Sequence, residues 1–141
     1  MKAIIHLFIF LFLSTGSIAQ ITAPYYTDFE TAIDTIGWAH YSMSGTDDWE
    51  WGAPHSVFFD EAYSDSMVFA TNLHDLASSN SVMVLETPTF DLSDTNIAQA
   101  LQFYHRRHTV SGGADYYFEY STDDGANWQL LALSNARATA K

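Results

Sequence analysis

Cysteine is absent from the 141-residue sequence, and basic residues are scarce. Without cysteine the chain can form neither a disulfide bond nor a thiolate metal site. Five lysine and arginine residues stand against 17 aspartate and glutamate residues, which gives a formal net charge of −12 at pH 7. Such a charge repels phosphate backbones and anionic lipid surfaces. The composition therefore argues against nucleic acids as binding partners.

Signature motifs of hydrolytic enzymes are also absent. The sequence contains no His-Glu-x-x-His zinc-peptidase motif and no Gly-x-Ser-x-Gly nucleophile elbow. Glycosidases need two carboxylates flanking one bond, and sandwich glucanases place them on a single strand. Glu119 is the only acidic residue between Tyr116 and Tyr120, so that arrangement is missing. We therefore predict no catalytic residues and no enzymatic activity.

The first 19 residues have the three parts of a secretory signal peptide. Lys2 supplies a positive charge, residues 3–13 form an apolar run too short for a bilayer, and residues 17–19 give a small-x-small cleavage pattern. The alternatives are a buried N-terminal helix and an uncleaved membrane anchor. Cleavage leaves a secreted or cell-surface chain that begins at Gln20 and has no membrane span. Because Lys2 is lost, four basic residues then oppose 17 acidic ones, a net charge of −13.

Short stretches with strand character, separated by turn residues, occupy the chain after residue 25. Asp124-Gly125 favours a hairpin turn because it supplies the positive-φ position that such turns require. Helical periodicity is nearly absent, and residues 72–78 are the one stretch that suits a helical turn. The predicted strands are residues 38–42, 49–51, 66–71, 82–86, 101–108, 115–121 and 128–133.

This pattern predicts an all-β fold, an antiparallel β-sandwich over residues 26–133. Residues 20–25 form a short lead-in to the sandwich. Residues 134–141 lose the alternation and are expected to form a frayed tail or a truncation point.

Four groups of residues, in this order, resemble the MAM-like modules of secreted bacterial surface proteins. These modules include the cleaved-adhesin domains and the accessory domains of secreted metallopeptidases. The groups are residues 26–30 with 37–38 (YTDFE and GW), 49–54 (WEWGAP), 69–73 with 85–93 (FATNL and LETPTFDLS), and 101–105 with 119–128 (LQFYH and EYSTDDGANW).

The resemblance implies a jelly-roll sandwich of the concanavalin A-like kind. Modules of this family continue beyond the last group with further strands, so the likeness covers only the N-terminal part of a jelly roll. We therefore expect a fold that is incomplete at its C-terminus, with unpaired strand edges and exposed apolar surface.

The resemblance also implies a structural calcium site, to which an N-terminal acidic segment contributes. Asp28 and Glu30 occupy that segment here. Calcium takes six to eight oxygen ligands, so two carboxylates form only the beginning of a site. The alternative is a solvated acidic loop. No other cofactor is expected.

Trp49 and Trp51 are the candidate ligand-binding residues. Their spacing places both indoles on one face of a predicted strand, where they could stack against a sugar ring. The same spacing is what a sandwich core requires, so core packing is the alternative interpretation.

Three functions remain compatible with the sequence. The first is a secreted, non-catalytic adhesion module that binds an extracellular glycan or protein. The second is an accessory domain of a larger secreted peptidase or glycosidase whose catalytic part lies elsewhere. The third is an inactive gene fragment.

Overall fold

The computed structural model describes residues 20–94, 96–108 and 115–133. The predicted signal peptide and the predicted tail at 134–141 lie outside these residues. In the described ranges the strands are β1 (Ile21–Thr22), β2 (Ala39–Ser44), β3 (Trp49–Gly52), β4 (Val68–Thr71), β5 (Val82–Glu86), β6 (Phe90–Asp91), β7 (Tyr117–Tyr120) and β8 (Gln129–Leu133). One 3₁₀ helix spans Ala32–Thr35. The predicted all-β class is confirmed.

The strands associate in pairs. β2 with β5, β3 with β4, and β7 with β8 form antiparallel ladders, whereas β1 and β6 form a short parallel one. Within the described residues each ladder has only two strands. The strand pairing therefore establishes an all-β fold but not the predicted jelly roll. In the ranges that the structure describes, every strand in these pairs keeps one edge without a ladder partner.

Residues 101–108 differ from the expectation, because no strand is assigned there. The alternation nevertheless has a structural counterpart. The rings of Phe103 and His105 lie 4.9 and 5.4 Å from the ring of Phe118 on β7. The segment thus packs one face against the β7–β8 hairpin without joining its ladder, since alternation specifies a packed face and leaves the hydrogen-bonding partner open.

Residues 72–78 form no helical turn. Asn72 has a positive φ of 67°, and its side-chain oxygen accepts hydrogen bonds from the amides of His74 and Asp75 at 3.0 and 2.9 Å. Such a side-chain turn competes with a helix for the same backbone donors. The helical segment lies instead at Ala32–Thr35, where the amide and hydroxyl of Thr31 both donate to the Asp34 carboxylate at 2.9 Å.

An aromatic cluster made of Phe29, Trp38 and Phe69 holds the first half of the chain together. The ring of Phe29 makes edge contacts with those of Trp38 and Phe69 at 5.0 and 5.3 Å, and Trp38 stacks on Phe69 at 5.7 Å. The cluster joins the N-terminal segment, the residue that precedes β2, and strand β4. It is the main packing centre that positions the candidate sites.

Few aliphatic side chains in the described ranges are buried. In the described ranges Leu73, at 6% exposure, is buried together with Pro54 and Pro88, and it covers Gly52 at the end of β3. Many other apolar side chains are largely exposed, among them Val57, Ile33, Met43 and Leu101. No helix in this part of the chain combines the length and the apolar character needed to cross a membrane.

Candidate functional site

The acidic segment around Phe29 forms a tight, internally bonded turn. Phe29 has a φ of 65°, which is uncommon for a residue with a bulky side chain. Its amide donates to the Thr27 hydroxyl at 3.1 Å, and the Glu30 amide donates to the Asp28 carboxylate at 3.2 Å. The aromatic cluster holds the Phe29 ring, so packing offsets the backbone strain. The carboxylates of Asp28 and Glu30, on either side of Phe29, accept hydrogen bonds from different partners.

Glu30 ties this turn to the start of β4. One carboxylate oxygen accepts the amides of Ser66 and Met67, both at 2.8 Å, and the other accepts the Ser66 hydroxyl at 2.8 Å. The backbone hydrogen bonds from Met67 and Ser66 lower the pKa of Glu30 below its ordinary value of 4.5, with a smaller contribution from the Ser66 hydroxyl. Glu30 therefore acts as an anchor between segments 36 residues apart.

Replacing Glu30 by glutamine should destabilise the protein at pH 7, because an amide group would then face donors that now meet an ionised carboxylate. A lowered folded-state pKa stabilises the fold above the unfolded-state pKa, and this contribution is lost as the pH falls through the folded value. The difference in melting temperature between wild type and Glu30→Gln should therefore be full at pH 7 and shrink below about pH 4.5.

Asp60→Asn is the matched control, because Asp60 is exposed and has no side-chain hydrogen bond. Its melting temperature should follow that of wild type across the same pH range. A Glu30→Gln difference that stayed constant from pH 7 to pH 3 would contradict the anchoring role.

The geometry of Asp28 and Glu30 can be compared with the needs of calcium. A carboxylate has about four acceptor positions, and protein donors occupy three of those on Glu30. Among the described residues, no group of three or more acidic or histidine side chains is arranged to hold a metal ion. Asp28 and Glu30 thus offer two carboxylates towards six to eight ligands, and backbone carbonyls and water would have to supply the rest. Calcium binding here stays a prediction.

If calcium binds at Asp28 and Glu30, a chelator should lower the melting temperature of the purified protein. Free calcium at about 100 times its Kd would add about 2.7 kcal/mol to the free energy of unfolding. The measurement is thermal unfolding with excess EDTA or excess calcium. Asp28→Asn should abolish the calcium-dependent shift, and Asp60→Asn should keep it. An identical melting temperature in EDTA and in calcium would dismiss the site.

Trp49 and Trp51 lie on one face of β3, as predicted, and both are half-buried. The Trp51 indole nitrogen donates to the Phe29 carbonyl at 2.8 Å, which links β3 to the acidic turn beside the aromatic cluster. The Trp49 indole nitrogen is buried without a hydrogen-bond partner. The arrangement therefore gives Trp51 a packing role, and a ligand-binding role for either indole stays a prediction.

A second polar contact orders the entry to β3. The His40 ring nitrogen Nδ1 lies 2.7 Å from an Asp47 carboxylate oxygen, and the other oxygen accepts the Trp49 amide at 3.2 Å. Asp47 thereby fixes the connection between β2 and β3. We therefore assign a structural role to the contact between His40 and Asp47.

Two exposed aromatic side chains with adjacent hydrogen-bonding groups lie on the β7–β8 hairpin. Tyr120 and Trp128 are each 42% exposed. Tyr120 pairs with Gln129 across the ladder, and its hydroxyl donates to the Gln129 side-chain oxygen at 3.0 Å. We call Tyr120, Trp128 and Gln129 the hairpin platform. The strand pattern of residues 115–121 and 128–133 predicts the hairpin, whereas the exposure of Trp128 depends on tertiary packing.

The turn beneath the platform is rigidly bonded. Asp123 accepts the Asn127 side-chain amide at 2.6 Å, the Ser121 hydroxyl at 2.8 Å and the Asn127 backbone amide at 2.8 Å. The Asn127 and Ser121 side chains lower the pKa of Asp123, so its carboxylate remains ionised at neutral pH. These hydrogen bonds connect both ends of the turn that joins β7 and β8.

Comparison of the chain with protein-family models, with curated proteins and with solved structures finds no match.

Proposed function

We propose that this chain is a secreted, non-catalytic β-sandwich module that binds an extracellular glycan. The observation that carries the proposal is the hairpin platform, in which the exposed Tyr120 side chain is hydrogen-bonded to the Gln129 amide group and the exposed Trp128 precedes Gln129 in the chain. The resemblance to MAM-like adhesion modules supports the same function and an overall jelly-roll architecture. The signal-like first 19 residues support export.

The chemistry of the platform suits a neutral sugar. Aromatic side chains provide flat apolar faces with a polar edge, and an amide can both donate and accept hydrogen bonds. The net charge of −12 disfavours sulfated or phosphorylated glycans through like-charge repulsion. The expected ligands are therefore uncharged oligosaccharides. The bonded turn at Asp123 means that little loop ordering is required on binding.

The test is binding of the purified protein to a panel of immobilised neutral and sulfated oligosaccharides. Wild type should retain neutral glycans and leave them uncleaved, and Trp128→Ala should lose at least about tenfold in affinity, consistent with removal of one stacking ring. Tyr26→Ala is the matched control, because Tyr26 is 81% exposed on the N-terminal segment. Equal losses in both variants, or no retention by folded wild type, would refute the proposal.

An accessory role in a larger secreted peptidase or glycosidase is the second candidate. The exposure of Ile33, Ile36 and Val57, at 76, 69 and 92%, is compatible with it, because a neighbouring domain that packs on this chain would cover exposed apolar side chains. The third interpretation, an inactive fragment, predicts no cooperative unfolding of the purified protein. A single sharp thermal transition would count against it.

A further inference from the structure

A groove of about 440 Å³ lies beside the β7–β8 turn, away from the acidic turn at Phe29. Its walls come from β1, from the residues that precede β2, and from the segment between β5 and β6. The apolar part of the lining includes Ile21, Ile36 and Pro88, and the charged part consists of Glu86 and Asp124. The groove is partly open to solvent, and its volume is sufficient for a single amino-acid side chain. We call it the acidic groove.

Local backbone geometry brings the two carboxylates to the same groove. Glu86 is the last residue of β5. Asp124 and Gly125 have φ values of 59° and 81°, which turn the hairpin back on itself. The turn lies against Glu86, since a methyl group added to Gly125 would lie 3.8 Å from a Glu86 carboxylate oxygen.

Neither carboxylate of the acidic groove has a hydrogen bond or ion pair within the part of the chain that the structure describes. The two cations of those ranges are engaged elsewhere. Arg106 lies 3.6 Å from Glu61 and over the ring of Phe59, and Arg107 lies over the ring of Tyr116. The acidic groove therefore keeps a negative potential, which the net charge of the chain strengthens.

We propose that the acidic groove binds a basic side chain from a peptide segment of another protein. An arginine or lysine has an apolar stem that suits Ile21, Ile36 and Pro88, and a cationic head that suits Glu86 and Asp124. The volume accommodates one such side chain with an apolar neighbour. A second copy of this chain is a poor occupant, because both copies carry a charge of −12. The acidic groove adjoins Trp128 of the hairpin platform, because the Cβ position of Gly125 lies 3.7 Å from the Trp128 ring and 3.8 Å from the Glu86 carboxylate, but its occupant is different.

The test uses a fluorescently labelled, end-blocked hexapeptide of alternating arginine and leucine. Its control is the same peptide with citrulline, the neutral isostere of arginine. Fluorescence anisotropy at low ionic strength should show saturable binding of the arginine peptide, weakened by added salt. The citrulline peptide should bind at least about tenfold more weakly, as expected when the charge-assisted hydrogen bonds are lost. Equal binding of the two peptides would overturn the proposal.

Variants distinguish binding in the acidic groove from a non-specific attraction of a basic peptide to an acidic protein. Glu86→Gln should raise the Kd roughly tenfold, and Glu86→Gln with Asp124→Asn should raise it further. Glu119→Gln is the matched control, because it removes the same charge from an exposed position on β7. Ile36→Ser, at a side chain that is 69% exposed, should weaken binding without unfolding the protein. Equal effects of Glu86→Gln and Glu119→Gln would show non-specific attraction and overturn the proposal.

The result of the peptide-binding experiment can be distinguished from the result of the glycan experiment. Glu86→Gln should leave glycan retention unchanged, and Gln129→Ala, at a platform residue outside the groove lining, should leave the Kd of the arginine peptide within about twofold of wild type, the spread expected of a residue outside the contact. Loss of both activities in the Glu86→Gln variant would contradict two independent sites and overturn the assignment of the peptide to the acidic groove. Circular dichroism and melting temperatures verify that each variant is folded.

Discussion

Replacing Phe69 with alanine should lower the free energy of unfolding by about 3 kcal/mol, within the range measured for phenylalanine-to-alanine changes at packed sites. Phe69 contacts Phe29 and Trp38 at centroid distances of 5.3 and 5.7 Å. Each aromatic pair is worth roughly 0.5–1.5 kcal/mol beyond the area it buries. The measurement is urea unfolding at pH 7, and thermal unfolding should show a fall of roughly 10 °C.

Met43→Ala is the control for this substitution. Met43 lies on β2 and is 71% exposed, so truncation removes a large apolar side chain without opening a cavity. Its free energy of unfolding should stay within about 0.5 kcal/mol of wild type. Comparable losses for the two variants would mean that the aromatic cluster is not the main packing centre.

The effect is expected to be large because the aromatic cluster connects three segments that are distant in the sequence. Phe29 belongs to the acidic turn, Trp38 precedes β2, and Phe69 lies in β4. The Trp51 indole adds a hydrogen bond from β3 to the Phe29 carbonyl. Loss of one ring would loosen the acidic turn, and with it the position of Asp28 and Glu30. The calcium prediction and the stability of the cluster are therefore coupled.

Local patterns in the sequence account well for several strands. β5 (Val82–Glu86) coincides with its predicted range, and β3 extends the predicted strand by Gly52 alone. The β7–β8 hairpin follows from alternation on both sides of Asp124-Gly125. These elements could be predicted because side-chain alternation and turn chemistry are both local properties of the chain.

Pairing between distant strands could not be predicted in the same way. β2 pairs with β5, which places Ala39 opposite Glu86, and the ladder contains an irregularity between Ser42 and Ser44. Nothing in either segment alone specifies the other. The same limit explains residues 101–108, where alternation predicts a strand but, within the described residues, no strand is assigned.

In the candidate sites, too, the sequence indicates some of the residues but not the partners that packing brings to them. The resemblance singled out Asp28 and Glu30, but the partners of Glu30 lie at Ser66 and Met67, which no local motif connects to it. The acidic groove combines Glu86 from a strand end with Asp124 from a hairpin turn. Each residue is unremarkable in the sequence, since Asp124 is fully explained as a turn residue. Only the packing of the hairpin against β5 places them together.

Gly45→Ala should be among the most destabilising single changes in the protein. Gly45 has a φ of 77°, a conformation that costs an alanine roughly 1 kcal/mol. An added methyl group would also lie 2.9 Å from the Ser81 Cα atom and 3.0 Å from the Asn80 carbonyl oxygen. Because these are backbone atoms, the connection between β2 and β3 would have to move away from the turn that precedes β5. We expect a total loss of about 3 kcal/mol.

Gly125→Ala distinguishes the conformational cost of a positive φ from the cost of steric overlap with neighbouring backbone atoms. Gly125 has a similar φ of 81°, but an added methyl group would meet no atom closer than 3.7 Å, from the Trp128 ring. Gly125→Ala should therefore cost only the conformational part, about 1 kcal/mol. Urea unfolding of the two variants measures the difference, which we expect to be about 2 kcal/mol. If the two losses were equal, the turn at Asn80 would not approach Gly45 closely, and the placement of β5 beside β2 would need revision.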